Sequence, residues 1–186
     1  MSKLNWDDIG KTTYNAGVDR GVFYPNIGSG IVWNGLLHVQ NFLDGSAILE
    51  AITYPDDFLP FDGYTKLMFA GQIRPLFNLS YRTLMGNGAQ EHDYKLHLLY
   101  NCLAIPSLRH ISLLNNKPDE STFTWDLSTT AVAIRDAKPS AHIILDATQV
   151  DPKVMIVIEN YLYGTDSIES AFPTVAQLFD MFENVP

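Results

Sequence analysis

Alternation of apolar and polar positions is clearest in the middle of the chain. From Leu76 to Thr83, Phe77, Leu79 and Tyr81 alternate with Asn78, Ser80 and Arg82. From Asp93 to Asn101, Tyr94, Leu96, Leu98 and Tyr100 alternate with Lys95 and His97. A period of two puts every second side chain on one face, so both stretches read as β-strands. Gly86-Asn87-Gly88 lies between them and accepts the positive φ of a tight reversal, which predicts a hairpin. His97 would then point away from the apolar stripe, to solvent or an interface. Phe123, Trp125 and Leu127 alternate with Thr122, Thr124, Asp126 and Ser128, a strand expected to continue to Ile134. The apolar runs from Ile31 to Val39, Ala47 to Tyr54 and Ala141 to Ala147 predict further strands. The segment from Gly17 to Pro25 reads as a turn entering a short strand that Pro25 stops.

After residue 150 the period changes. Asp151-Pro152 supplies an N-cap and a proline at the first helical position. Val154, Val157, Ile158, Tyr161 and Leu162 recur at helical spacing, and Gly164 ends the run. From Thr174 to Phe182, Val175, Leu178, Phe179 and Phe182 share one side of a second helix. The pattern predicts a mainly β, α+β fold with one packed helix and a C-terminal helical segment. It contains no internal repeat, low-complexity tract or linker, so residues 1–186 read as a single domain. The glycine-punctuated residues 1–30 read as an irregular N-terminal arm.

Composition narrows the function classes. Among 186 residues, 46% are hydrophobic, with ten Phe, nine Tyr and three Trp. That supplies one real core and excludes disorder as the main state. No run approaches the roughly 18 apolar residues of a membrane helix. The stretch Met1-Ser2-Lys3-Leu4-Asn5-Trp6-Asp7-Asp8 lacks the apolar core of a secretory signal. Twelve basic against 21 acidic residues give a net charge of −9, so there is no overall basic footprint for gripping phosphates. Charged residues are only 18% of the chain, against about 25% in an average domain. Low charge with abundant aromatics suits surface hidden against other subunits.

No arrangement of residues spells out catalysis. His38, His92, His97, His110 and His142 contain no H-x-x-x-H or H-E-x-x-H pair for zinc. Glu91-His92-Asp93 offers ligand atoms but reads as a solvated hairpin mouth. Asp7-Asp8 and Asp56-Asp57 lie in no EF-hand loop, and the second pair reads as a turn cap. The sole cysteine, Cys102, sits among Tyr100, Leu103 and Ile105, which suits an inert core thiol better than a nucleophile. Nucleophile-elbow, P-loop and dinucleotide-binding motifs are absent, and Gly28-Ser29-Gly30 and Gly164-Thr165-Asp166-Ser167 read as loops. Arg20, Arg74, Arg82, Arg109 and Arg135 form no patch, and Arg82 reads as an ion-pair residue at a surface or interface. The expectation is no catalytic residue, no metal ligand and no cofactor. A small hydrolase using Asp56, Asp57 or His92 is the enzyme reading weighed against this.

Specific strings then add to spacing. Gly17-Val18-Asp19-Arg20-Gly21-Val22-Phe23-Tyr24-Pro25 is followed by Val32-Trp33-Asn34-Gly35-Leu36 and Ala51-Ile52-Thr53-Tyr54-Pro55-Asp56-Asp57-Phe58. Next come Leu79-Ser80-Tyr81-Arg82-Thr83 with Gly86-Asn87, then Tyr94-Lys95-Leu96-His97-Leu98-Leu99-Tyr100-Asn101. Phe123-Thr124-Trp125-Asp126-Leu127-Ser128-Thr129-Thr130, Leu162-Tyr163-Gly164-Thr165-Asp166 and Phe172-Pro173-Thr174 complete the series. In this order the chain resembles the major tail, or tail tube, proteins of long-tailed bacteriophages and prophages of Gram-positive hosts.

The resemblance covers nearly the whole chain and implies a tail-tube-like β-sandwich or barrel. Six copies would form a ring, and stacked rings a hollow tube within the virion tail, made in the host cytoplasm. The implied partners are other copies, other tail proteins and genomic DNA passing through the lumen, with no membrane. Phe77, Leu79, Tyr81, Tyr94, Leu96, Leu98, Phe123 and Trp125 would hold the sheet, and Val157, Ile158 and Tyr161 would seat the helix. One departure is the short stretch from Leu37 to Glu50, where the family carries a longer one. It leaves open a distal-tail, adaptor or surface-decorating role on the same fold.

Overall fold

The computed structural model describes residues 18–25, 31–32, 36–41, 46–51, 58–64, 71–86, 91–107 and 123–184, with side chains for 58–64, 71–83, 93–107 and 123–184. The strands are β1 (Val18–Pro25), β2 (Ile31–Val32), β3 (Leu36–Asn41), β4 (Ser46–Ala51), β5 (Phe77–Gly86), β6 (Glu91–Pro106), β7 (Phe123–Thr129) and β8 (His142–Asp146). Two helices follow, α1 (Pro152–Tyr163) and α2 (Val175–Asn184). The fold is mixed α+β, built on one open antiparallel sheet in the order β2-β1-β5-β6-β7-β4-β3, with β8 also paired to β6.

The alternating stretches at the centre form the expected hairpin, with Tyr81 opposite His97 and Leu79 opposite Leu99. Residues 87–90, the rest of the predicted reversal, lie outside the described residues. Strand β6 has 16 residues and serves two neighbours along one edge. Its first half pairs with β8, from Lys95↔Asp146 to Leu99↔His142, and its second half with β7, from Cys102↔Thr129 to Pro106↔Trp125. Between the two halves, Asn101 takes a left-handed backbone conformation, φ 51°. The register with β5 shifts there, from Leu79↔Leu99 to Phe77↔Cys102. This is a β-bulge, and asparagine tolerates left-handed backbone better than most residues with a Cβ. The Asn101 amide donates to Asn78 Oδ1 at 3.0 Å, and the Thr130 amide to the Asn101 carbonyl at 3.2 Å.

Because the bulge adds one residue, His97 and Leu99 share a face with Cys102 and Ala104. Phe58 and Phe61, from the 58–64 turn, cover this face. Phe58 meets Trp125 edge-on at 5.3 Å and Phe77 at 5.7 Å. Leu96, Leu98, Tyr100 and Leu145 form the opposite face and pack under Val154, Met155, Ile158 and Leu162 of α1 and Leu178 of α2. The central strands are therefore covered on both sides.

The helix starts and stops follow the local chemistry. Asp151 Oδ1 accepts from the Lys153 amide at 2.8 Å, with Pro152 beside it. Gly164 ends α1 at φ 73°, where an added Cβ would lie 2.8 Å from the Ile168 carbonyl oxygen. Thr174 and Gln177 cap α2 reciprocally. The Gln177 amide donates to Thr174 Oγ1 at 3.2 Å and the Thr174 amide to Gln177 Oε1 at 2.9 Å.

Several expectations need correction. The strand from Phe123 stops at Thr129, and of the residues expected to extend it only Val132 pairs, in an isolated bridge to Ser140. The run from Ile31 to Val39 is two strands, with residues 33–35 outside the described ones. On α1, Met155 is buried and Val157 is exposed, so the inward face is rotated from that expected. On α2, Phe182 is exposed and Leu178 carries the burial. The short strand expected to stop at Pro25 is β1, which lies inside the sheet between β2 and β5. Residues 1–17 and 26–30 lie outside the described residues.

Candidate functional site

Three polar side chains form a continuous hydrogen-bonded chain on the sheet face opposite the helices. Thr83 stands on β5, His97 on β6 and His142 on β8. Thr83 Oγ1 lies 2.9 Å from His97 Nε2, and His97 Nδ1 lies 2.9 Å from His142 Nε2. The imidazole planes differ by only 19° with centroids 5.2 Å apart. With facing nitrogens at 2.9 Å, the rings meet edge to edge in an in-plane hydrogen bond. Tyr81 instead stacks face-on against His97, with centroids 4.5 Å apart and planes within 4°. His97 is only 8% exposed, which overturns its expected outward position. A polar residue alternating with apolar ones points outward only when one face of a strand meets water, and β6 is covered on both faces.

Both imidazoles are held neutral. Burial lowers His97 from 6.5 to about 3, with His142 and the Lys95 ammonium adding to the effect. Burial alone lowers His142 to about 4. The chain closes in either direction. If Thr83 donates to His97 Nε2, His97 Nδ1–H donates to His142; reversing both tautomers satisfies the same three groups.

The order hydroxyl, imidazole, orienting group is that of an activated nucleophile. The electrostatics oppose that use. A general base works best with a pKa near the working pH, and His97 lies well below it. An imidazolium at this position would be desolvated beside Lys95. The arrangement is suited to holding β5, β6 and β8 in register with neutral groups.

On the helix face, Arg82 joins β5 to α1. Its guanidinium lies 3.3 Å from Glu159 Oε1 and 4.5 Å from the centre of the Tyr94 ring. Burial, then the Glu159 carboxylate, pushes the Tyr94 hydroxyl up to about 12, with Arg82 pulling the other way. The expected ion pair of Arg82 is thus within the subunit. Arg135 pairs with Glu183 on α2 and lies 4.9 Å over the Phe179 ring.

The other described candidates take different places in the fold. Cys102 is fully buried and free, and burial raises its thiol pKa, as expected of an inert core thiol. Asp93 Oδ1 accepts from the Tyr94 amide at 3.0 Å. Glu91 and His92 open β6, His38 is on β3 and Arg20 on β1, while Arg74 is half-buried in the 71–76 segment. Asp7, Asp8, Asp56, Asp57, Arg109 and His110 lie outside the described residues. Among the described residues, no group of three or more His, Cys, Asp or Glu is placed to hold a metal ion.

Sequence reasoning missed the histidine pair. Positions 97 and 142 are 45 residues apart and meet only through the β6–β8 pairing. The available signal was one polar residue set within or beside each of two apolar strands. No protein-family model, curated protein or solved structure matches this chain.

Proposed function

We propose that this chain is a structural virion protein of a tailed bacteriophage. Copies assemble into hexameric rings, and the rings stack into the tail tube that conducts DNA. The observation that carries this reading is the ordered series of strings from Gly17–Pro25 to Phe172-Pro173-Thr174, spread over nearly the whole chain. An open antiparallel sheet supports it, because a sheet with free edges gains by closing against neighbours into a continuous wall. In the assembled tube the sheet would belong to a tail-tube-like sandwich or barrel. Ile144, Ile156 and Val157 keep 49%, 58% and 39% of their surface exposed, apolar area suited to subunit contacts. The net charge of −9 has a use in such a tube, since a lumen lined with carboxylates repels phosphates and lets DNA slide.

Negative-stain microscopy of the purified full chain tests the proposal. Rings or tubes that grow with concentration are expected. A strictly monomeric species across micromolar concentrations and a range of salt would overturn it. The short stretch from Leu37 to Glu50 favours a second reading, another virion component such as a distal-tail, adaptor or surface-decorating protein. One ring per particle, or copies on the head exterior, would select it.

A further inference from the structure

We propose that the Thr83–His97–His142 chain is an acid-triggered latch, which holds β8 on β6 while both imidazoles are neutral and releases it when they take up protons. The proposal is independent of the virion reading and stands on the geometry of the pair. Only one proton fits between His97 Nδ1 and His142 Nε2 at 2.9 Å. One extra proton leaves that bond intact, whereas a second sets N–H against N–H. Strand β8 is short, five residues, and among the described strands it pairs only with β6. Two side-chain ties bracket its ladder, Lys95 to Asp146 at 3.5 Å at one end and His97 to His142 towards the other.

Among the described residues, the titratable neighbours on the pair's face are already committed. On its face of the sheet, β5 presents Tyr81 and Thr83, β6 presents Lys95 and Cys102, and β8 presents Asp146. Burial keeps the Tyr81 and Cys102 protons in place. Asp146 is already engaged by Lys95 and by the Thr148 hydroxyl at 2.6 Å. On the covering turn, Asp62 accepts from the Trp125 indole. Arg82 and Glu159 pair with each other on the opposite face.

Linkage then sets the direction. Once β8 leaves, solvated imidazoles titrate near 6.5, whereas closed ones resist protonation down to about 4 and about 3. Above pH 6.5 neither state binds the protons and the latch stays shut. Below it the open state binds up to two more, so opening gains up to about tenfold per pH unit for each histidine. The gain fades as pH falls through about 4, where closed His142 protonates too. Leu145 packs under α1, so release of β8 also uncovers apolar core.

Amide hydrogen exchange on the full chain from pH 7.5 to 4.5, corrected for intrinsic exchange rates, tests this. Bonds from the Tyr100 amide to the Ala141 carbonyl, 2.9 Å, and from the Ala147 amide to the Tyr94 carbonyl, 3.1 Å, bracket the ladder. Their spacing aims the Ile143 and Leu145 amides at β6. Protection at these two positions should fall about 30-fold between pH 6.5 and 5.5, two independent protons giving (11/2)², while β7 amides keep theirs. In His142→Gln, which retains a hydrogen-bonding side chain at a half-buried position, the fall should shrink to about fivefold. Protection independent of pH, equal loss in β7 and β8, or an undiminished fall in His142→Gln would each overturn the proposal. Should His142→Gln fail to fold, the comparison of β8 with β7 in the unaltered protein still decides.

Discussion

The Trp125 indole Nε1–H donates to Asp62 Oδ1 at 2.6 Å, with both side chains buried, and this bond ties the 58–64 turn to β7. The carboxylate lies 2% exposed beside a wall of aromatic rings, so it depends on such contacts in place of water. Asp62→Ala should cost about 2–3 kcal/mol, because it leaves a buried N–H without this acceptor. Asp62→Asn keeps an acceptor and should cost less. Chemical denaturation of the three proteins checks the order, and an Asp62→Ala protein as stable as its parent would remove the bond from any account of this core.

Ile158 and Ile156 lie two residues apart on α1 with opposite fates, the first fully buried and the second 58% exposed. Ile158→Ala should lose about 3 kcal/mol through the cavity it opens under the helix. Ile156→Ala should change stability by less than about 0.5 kcal/mol. If α1 faces a neighbouring subunit, Ile156→Ala should nevertheless weaken assembly in sedimentation. That separates surface used between copies from surface used within one.

Asn101 should tolerate glycine and resist valine. Its φ of 51° suits glycine, which gives up only the side-chain bond from Nδ2 to the Thr130 carbonyl at 3.3 Å. A β-branched residue meets a steric penalty of about 1–2 kcal/mol there, in addition to that lost bond. Thermal unfolding of Asn101→Gly and Asn101→Val should rank them in that order, with Val the less stable.

Alkaline pH should destabilise the fold from about 10 upward. Burial raises the hydroxyls of Tyr81 and Tyr100, and burial followed by Glu159 raises Tyr94 to about 12. Below pH 10 these phenols are neutral in both states and their contribution is fully present. Between 10 and 12 the unfolded chain ionises first, so the contribution is lost as pH rises. Ultraviolet titration should show some of the nine tyrosines ionising near 10 and at least these three later, together with unfolding. All nine ionising near 10 with circular dichroism unchanged would contradict this.

Local elements were largely legible in the chain because their causes are local. Alternation around Phe77 and Leu96, the Asp151-Pro152 start and the Gly164 stop all act within a few residues. The strand predicted to reach Ile134 was misread because β propensity does not say where a partner ends. Of residues 130–134, only Val132 is bridged in strand fashion, to Ser140. The face of α1 was misread by part of a turn, since Val157 and Met155 are both apolar and only the docking angle on the sheet chooses between them.

The sequence by itself determined the α+β character, the central hairpin, both helices, the acidity and the ordered strings behind the virion proposal. Each is a property of neighbouring residues or of their sum. Tertiary structure alone decided the bulge at Asn101, the sharing of one β6 edge by β7 and β8, and the meeting of His97 with His142. The physical reason is that side-chain period names a strand but not its partners, and not whether its second face is covered. His97 has the spacing of a solvent-facing residue and becomes a buried neutral imidazole because the Tyr81 ring of β5 stacks on it and His142 of β8 meets its edge.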